Sequence, residues 1–190
     1  MSEIIRCPWC ASSAEMQRYH DTEWGTPLHG DRELFEFLIL DGFQAGLSWS
    51  CILNKRPAFR KAFDGFDARL IAEYGEEKIS SLMADQGIVR NRLKIAASIT
   101  NARSFLEAQS RYGSFDSFIW QFTNGTTKKN SWTELSQIPV STKESDAMSK
   151  ELKRAGFKFV GTTICYAFMQ AAGMVNDHLT SCFRYSEVIP

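Results

Sequence analysis

The segment RNRLKIAASITNARSFLEAQSRYG, residues 90–113, constrains this chain more than any other stretch. Ile95, Ile99, Ala102 and Leu106 recur at helical spacing and form one apolar stripe, and Gly113 ends it. So long a helix needs apolar partners along its whole length, and the rest of the sequence supplies helices. DRELFEFLIL is apolar nearly all round and opens on Asp31 as a cap, which predicts a buried helix. Ser48 can cap a helix reaching about Asn54, and Pro57 suits the first turn of a separate helix, PAFRKAF. Asp67 can cap ARLIAEY, and EEKISSLMADQ follows before Gly87. SFDSFIWQF is short and aromatic, and KESDAMSKELKRAG and TTICYAFMQAAG form a helical pair stopped by Gly156 and Gly173. No stretch alternates as a strand should, and residues 123–141 form the one long loop. The fold class predicted is all-α, in a single domain of residues 1–190.

Composition narrows the function classes. A chain of 190 residues, 44% hydrophobic, can bury a sizeable core. MSEIIRCPWC has no apolar signal region, and no run reaches the roughly 18–20 apolar residues of a membrane span. A cytoplasmic location without membrane attachment is expected. Five cysteines, an odd number, argue against a disulfide framework and leave metal ligation, redox chemistry or burial. Zero formal net charge argues against holding nucleic acid by charge alone. A local basic face remains, because Lys150, Lys153, Arg154 and Lys158 stand against Glu151 alone.

Candidate metal ligands gather toward the two ends: Cys7, Cys10, His20 and His29 at one, His178 and Cys182 at the other. His178 and Cys182 are four apart, one helical turn, so both can face the same point. Zinc takes four nitrogen or sulfur ligands in a tetrahedron, and two from each end would staple the termini together. CPWC can equally be a redox pair or have no special role, and His178 and Cys182 can be surface residues. Cys51 and Cys165 sit in apolar helices and read as core.

Three further segments look chemical. In LILDGFQAGLSW (38–49), Asp41 shares the inward face of Leu34 and Leu38, where a carboxylate needs partners or a task. A small-residue bend then leads to Trp49; the plainer alternative is a helix end with a solvated Asp41. Trp9, Tyr19, His20 and Trp24 fall within 16 residues, a density that serves either a core or a pocket. In RAGFKFVGTTICYAF (154–168), a loop bounded by Gly156 and Gly161 runs into a helix start, whose free N–H groups suit a phosphate. A simple helical hairpin with solvated charges explains it as well, and ADQGIVRNR (84–92) is a weaker second hairpin.

Together these residues resemble the bacterial 3-methyladenine DNA glycosylase I family, constitutive enzymes of the helix-hairpin-helix superfamily. The likeness runs from about Arg6 to Cys182. YHDTEWG (19–25), QAGLSW (44–49), GFKFVGTTICYAFMQAAG (156–173) and VNDH (175–178) carry it. It implies two helical lobes, a hairpin near 152–173, and one structural zinc held by Cys7, His20, His178 and Cys182. Cys10 and His29 become spectators. It implies a pocket of Trp9, Met16, Tyr19, Asp41 and Trp49, with Asp41 and Tyr19 as the catalytic pair. Well-known members carry Glu and Tyr at the positions of Asp41 and Met16. Leu47 is then the side chain that wedges into the vacated stack, while amides near Lys158 and Gly161 hold phosphates of double-stranded DNA.

The implied reaction is hydrolysis of the N-glycosidic bond of 3-methyladenine in alkylated DNA, releasing the base and leaving an abasic site, by a monomer. Asp41 is expected to be ionised against the cationic base. Asn176 stands where superfamily relatives have a catalytic Asp, Asp177 reads as structural, and no lysine in the pocket motifs offers lyase chemistry. Two other classes compete: a non-catalytic zinc-stapled binder of damaged DNA, and a thiol redox protein using CPWC, which lacks a surrounding βαβ pattern.

Overall fold

The computed structural model describes residues 4–188, and these are mostly helical. Helices α1 (Ala14–Thr22), α2 (Asp31–Gln44), α3 (Trp49–Ala62), α4 (Ala68–Ala72), α5 (Glu76–Ala84), α6 (Arg92–Tyr112) and α7 (Phe115–Trp120) come first. Strand β1 (Lys128–Lys129), α8 (Lys143–Arg154), α9 (Thr162–Ala171), β2 (Val175–Asn176) and α10 (Arg184–Glu187) follow. Ser13, Ser48, Asp67, Asn91 and Thr142 each accept a first-turn N–H, worth about 1 kcal/mol apiece. Gly113 ends α6 at a φ of 86°, as its place after the stripe predicts.

Helix α2 is the axis of the molecule. Every residue from Leu34 to Phe43 is buried, and α3, α6, α7 and α9 pack around it. Each fully buried Leu or Phe there contributes roughly 1.5–3 kcal/mol. The buried Glu36 is matched by Arg56 at 2.5 Å and Arg60 at 2.9 Å from the facing α3. Rings of Phe35, Phe105 and Phe115 meet at centroid distances of 4.7 Å and join α2 to α6 and α7.

Four expectations change. Asp31 does not cap its own helix, where Gly30 is the cap; its carboxylate accepts the N–H groups of Phe115 and Asp116 at 2.9 and 2.8 Å and so caps α7 from across the fold. Helix α3 runs straight through Pro57, because Ile52, Leu53, Arg56 and Phe59 bury one continuous face that outweighs a single missing N–H bond. The long loop pairs with the segment after α9 as a two-residue parallel bridge, Lys128 opposite Val175, too short for alternation to show. Cys51 is half-buried rather than core, while burial pushes the Cys165 thiol up to about 12.

Two glycines let the ends of the chain meet. A side chain on Gly25 (φ 79°) would lie 2.9 Å from His178 Nε2, and one on Gly173 (φ 68°) would lie 2.3 Å from the Thr26 backbone. No helix of the described residues is long and apolar enough to cross a membrane.

Candidate functional site

The chain ends meet at one buried cluster. Cys7, His20, His178 and Cys182 are all buried, and their ligand atoms lie within 4.8 Å of one another. His178 and Cys182 do converge, but through a tight turn in which the Cys182 N–H donates to the Leu179 carbonyl at 2.8 Å, rather than through a helix. Cys182 Sγ lies 3.4 Å from His20 Nε2 and 3.7 Å from His178 Nδ1, and Cys7 Sγ lies 3.7 Å from His178 Nδ1. A tetrahedral zinc with bonds of about 2.3 Å to sulfur and 2.0–2.1 Å to nitrogen sets S···N edges of roughly 3.6 Å, so the donors fit that ion.

The partners behind the ligands agree. His20 Nδ1 donates to Asp21 at 2.8 Å and His178 Nε2 to the Trp24 carbonyl at 3.1 Å, which leaves a lone pair on each inner nitrogen. The neighbouring Cys7 thiol, then the His178 and His20 rings, hold the Cys182 thiol far below the ordinary range, while Cys182 and burial push Cys7 up. Zinc takes both sulfurs as thiolates, and a central cation would favour ionising the two together. Cys10 instead donates to the Cys7 carbonyl at 3.1 Å, and burial raises its thiol. That is the opposite of a redox-active cysteine. His29 lies on the surface against Asp116 at 2.7 Å.

Beside the cluster opens a cavity of about 300 Å³ lined by Trp9, Met16, Tyr19, Asp41 and Trp49. That is at the small end of ligand pockets and suits one ring system. The ring of Trp9 packs on His20 at 5.3 Å, and Tyr19 on Trp49 at 5.4 Å, so the Cys/His cluster and the cavity walls are in direct contact. Asp41 lies on the last turns of α2, and its Oδ2 is buried without a hydrogen-bond partner. The indole N–H of Trp49 is likewise unpartnered. One orphan acceptor and one orphan donor on the same cavity mark a site built for a polar, planar guest. Asp41 is expected to be ionised, but in the free protein burial pushes its carboxyl well above the usual range. Tyr19 stays a phenol, since burial and then Asp41 raise its pKa well above 10.0.

Further residues line the cavity beyond the five expected. Gln44 follows Asp41 by three on α2 and could have been found by spacing, as could Trp24 from its aromatic company. Ala167 and Gln170 come from α9, and Ile138 from the long loop, so only the fold brings them in. Asp177 is structural as expected: it accepts hydrogen bonds from Asn130, Trp132, Tyr166 and Gln170 at 2.6–2.7 Å. Asn176 is buried with both side-chain ends bonded internally, to the Tyr185 carbonyl and the His178 N–H.

A second cavity, of about 200 Å³, shares Asp41, Gln44 and Ala167 with the slot and runs between Leu47 and the first turn of α9. Leu47 is 42% exposed at the tip of its turn. Gly161 caps α9 with no side chain, and the Lys158 side chain is exposed, but the Lys158 N–H is already taken by Asn101 Oδ1 at 2.7 Å. That amide is therefore not free for a phosphate; the Lys158 ammonium is. The buried lysine nearest the slot motifs, Lys94, binds the carbonyls of Phe43 and Ala45 and lines no part of the slot.

Known proteins share this architecture. The family profile for methyladenine glycosylase matches residues 9–185. DNA-3-methyladenine glycosylase 1 of Escherichia coli K12 is 48% identical over 180 residues, 95% of this chain and 96% of its own. A crystal structure of a 3-methyladenine DNA glycosylase I superposes with a TM-score of 0.92 at 48% identity, covering 94% of this chain and 98% of that one. The Staphylococcus aureus enzyme, solved for its recognition of 3-methyladenine, gives 0.91 at 34% identity, over 94% and 95% of the two chains. The chain belongs to the methyladenine glycosylase family.

Proposed function

We propose that this protein is a DNA-3-methyladenine glycosylase of base-excision repair: it hydrolyses the bond between 3-methyladenine and deoxyribose and leaves an abasic site with the strand intact. The observation that carries this is Asp41 Oδ2, a buried, unpartnered acceptor on an aromatic slot sized for one base. The relatives' names and the family membership support the same substrate.

Alkylation at N3 makes the base cationic and weakens its bond to the sugar, so a strong general acid is unnecessary. The faces of Trp9, Tyr19 and Trp49 attract a cation by roughly 0.5–2 kcal/mol each. A cation in the slot also supplies the opposite charge that Asp41 lacks, so the carboxyl gives up its proton there and accepts from the adenine edge. Tyr19, kept as a phenol, can donate to that edge. Water attacks C1′, the base leaves neutral, and a proton passes to solvent. Met16 packs on the base without an aromatic face, and Asp41 reaches one methylene less than Glu. Both substitutions bear on selectivity more than on reaction class.

Duplex DNA presents the target by everting it, at a few kcal/mol of lost stacking. Leu47 fills the gap, while Lys158 and the amides at Gly161 and the start of α9 hold the backbone, so α8, the hairpin and α9 act as a helix-hairpin-helix. Cys7, His20, His178 and Cys182 would hold one zinc, which ties the chain ends and fixes Trp9 and Tyr19. With four protein ligands it leaves no position for water. The protein works as a cytoplasmic monomer, one domain of two lobes.

The test is incubation with methylated duplex DNA and chromatography of the freed bases. Free 3-methyladenine with an unbroken, alkali-labile strand is expected. Tight binding to abasic duplex with no base released would make the protein a damage binder instead.

A further inference from the structure

We infer that one face of α6 is a strut that sets the spacing between the Leu47 turn and the Lys158 hairpin, with Lys94 and Asn101 as its positioning residues. This rests on the proposed function, in which wedge and hairpin engage one DNA strand together. Lys94 and Asn101 are seven apart, two turns along one face of a rigid helix, roughly 10 Å. At one end the buried Lys94 Nζ donates to the carbonyls of Phe43 at 2.8 Å and Ala45 at 2.6 Å. These are the last carbonyls of α2 and its exit, which the helix leaves unpaired and electronegative. Two backbone oxygens at the base of the turn face its charge.

At the other end Asn101 closes a two-bond ring on the hairpin. Its Nδ2 donates to the Lys158 carbonyl at 3.0 Å, and its Oδ1 accepts the Lys158 N–H at 2.7 Å. The next residue, Phe159, has a φ of 55°, a strained value for an aromatic side chain, so this hairpin needs outside support. Between the clamps Ser98 bonds back to the Lys94 carbonyl at 3.0 Å, and Gly42 lies against Phe159, where an added Cβ would sit 3.5 Å from the phenylalanine Cβ. Neither Lys94 nor Asn101 lines the base slot. The Leu47 turn and the Lys158 hairpin, which must meet the same strand, are thus each hydrogen-bonded to one ruler.

Two independent anchors and a shared ruler predict different energetics. The zinc-loaded full chain is compared with Lys94→Met, Asn101→Ala, the double variant and Lys94→Arg. Three quantities are measured: affinity for a duplex carrying a stable abasic-site analogue, single-turnover base release, and binding of free 3-methyladenine by tryptophan fluorescence. Each single variant is expected to weaken duplex binding about 10-fold, and the double variant about 10- to 20-fold rather than 100-fold, because the spacing is lost once either clamp opens. Free-base binding stays within about twofold, as neither residue touches the slot. Lys94→Arg restores most of the affinity, since a guanidinium also reaches two carbonyls. Losses that multiply in the double variant would overturn the strut, and so would free-base binding that falls in step with duplex binding. If Lys94→Met does not fold, Lys94→Gln keeps one donor and the cycle is run on it. A parent that binds abasic duplex with this coupling but releases no base refutes the glycosylase activity and leaves the strut. Base release with multiplying losses does the reverse.

Discussion

Asp41 should make the free enzyme less stable than it need be, and replacing it should show this. Its Oδ2 is buried with no partner, and the carboxyl is held well above its ordinary pKa by burial. An unsatisfied buried acceptor costs about 1–3 kcal/mol, more when charged. Asp41→Leu keeps the branching of Asp, borders a cavity with room for its methyl groups and carries no polar atom, so it should raise stability by about 2 kcal/mol at neutral pH. For a chain of this size that is a rise in Tm of roughly 4–8 °C. The sign with pH follows. The folded pKa is raised above the unfolded value of about 3.9, so below that value both states are protonated and the added cost of the charge is absent. As pH rises toward the folded pKa the unfolded state ionises first, and the parent loses stability; above it the penalty is complete. Asp41→Leu lacks this titration, so its advantage should grow with pH. Asp41→Asn keeps one orphan atom, so its gain should be smaller. It also removes the anion, and a hydrogen bond to a charged partner is worth about 1.5–3 kcal/mol, so single-turnover excision should fall roughly 10- to 150-fold. Differential scanning calorimetry from pH 4 to 9 and base release from methylated DNA measure both. An Asp41→Leu protein no more stable than the parent, or an Asp41→Asn protein of undiminished rate, refutes the reasoning.

The remaining predictions concern the clasp, the wedge and the chemistry. Elemental analysis should find about one zinc per chain; Cys7→Ser should lose the metal and several kcal/mol of stability, whereas Cys10→Ser, outside the cluster, should keep both. Retention of metal by Cys7→Ser with loss in Cys10→Ser would reassign the ligands. Leu47→Ala should slow excision from duplex DNA yet leave free-base binding unchanged and stability within about 0.5 kcal/mol, since the side chain is 42% exposed. Equal rates on duplex DNA would remove Leu47 from the wedge. Borohydride should trap no covalent adduct with abasic DNA, because Lys94 Nζ is bonded to two carbonyls away from the slot; a trapped adduct would expose a lysine nucleophile.

Local signals in the sequence carried the helices. The α6 stripe, the caps at Ser48 and Asp67, and the stops at Gly113, Gly156 and Gly173 are properties of neighbouring residues, and the fold keeps them. Asp41 was legible because a carboxylate among Leu34 and Leu38 conflicts with its surroundings. Pro57 and Asp31 misled, since tertiary packing carries α3 through its proline and turns Asp31 toward α7. The four ligands were open as a set until a family resemblance selected them, because spacing says nothing about two ends more than 150 residues apart. Long-range proximity decided the rest. The slot draws Ile138, Ala167 and Gln170 from elements that share no local pattern, and Lys94 and Asn101 reach loops about 50 residues away. Sequence alone determined which segments coil and which side chains are chemically out of place. Only the packed chain decided what those side chains face, because contact between distant residues depends on the whole arrangement of helices and leaves no periodic trace in either segment.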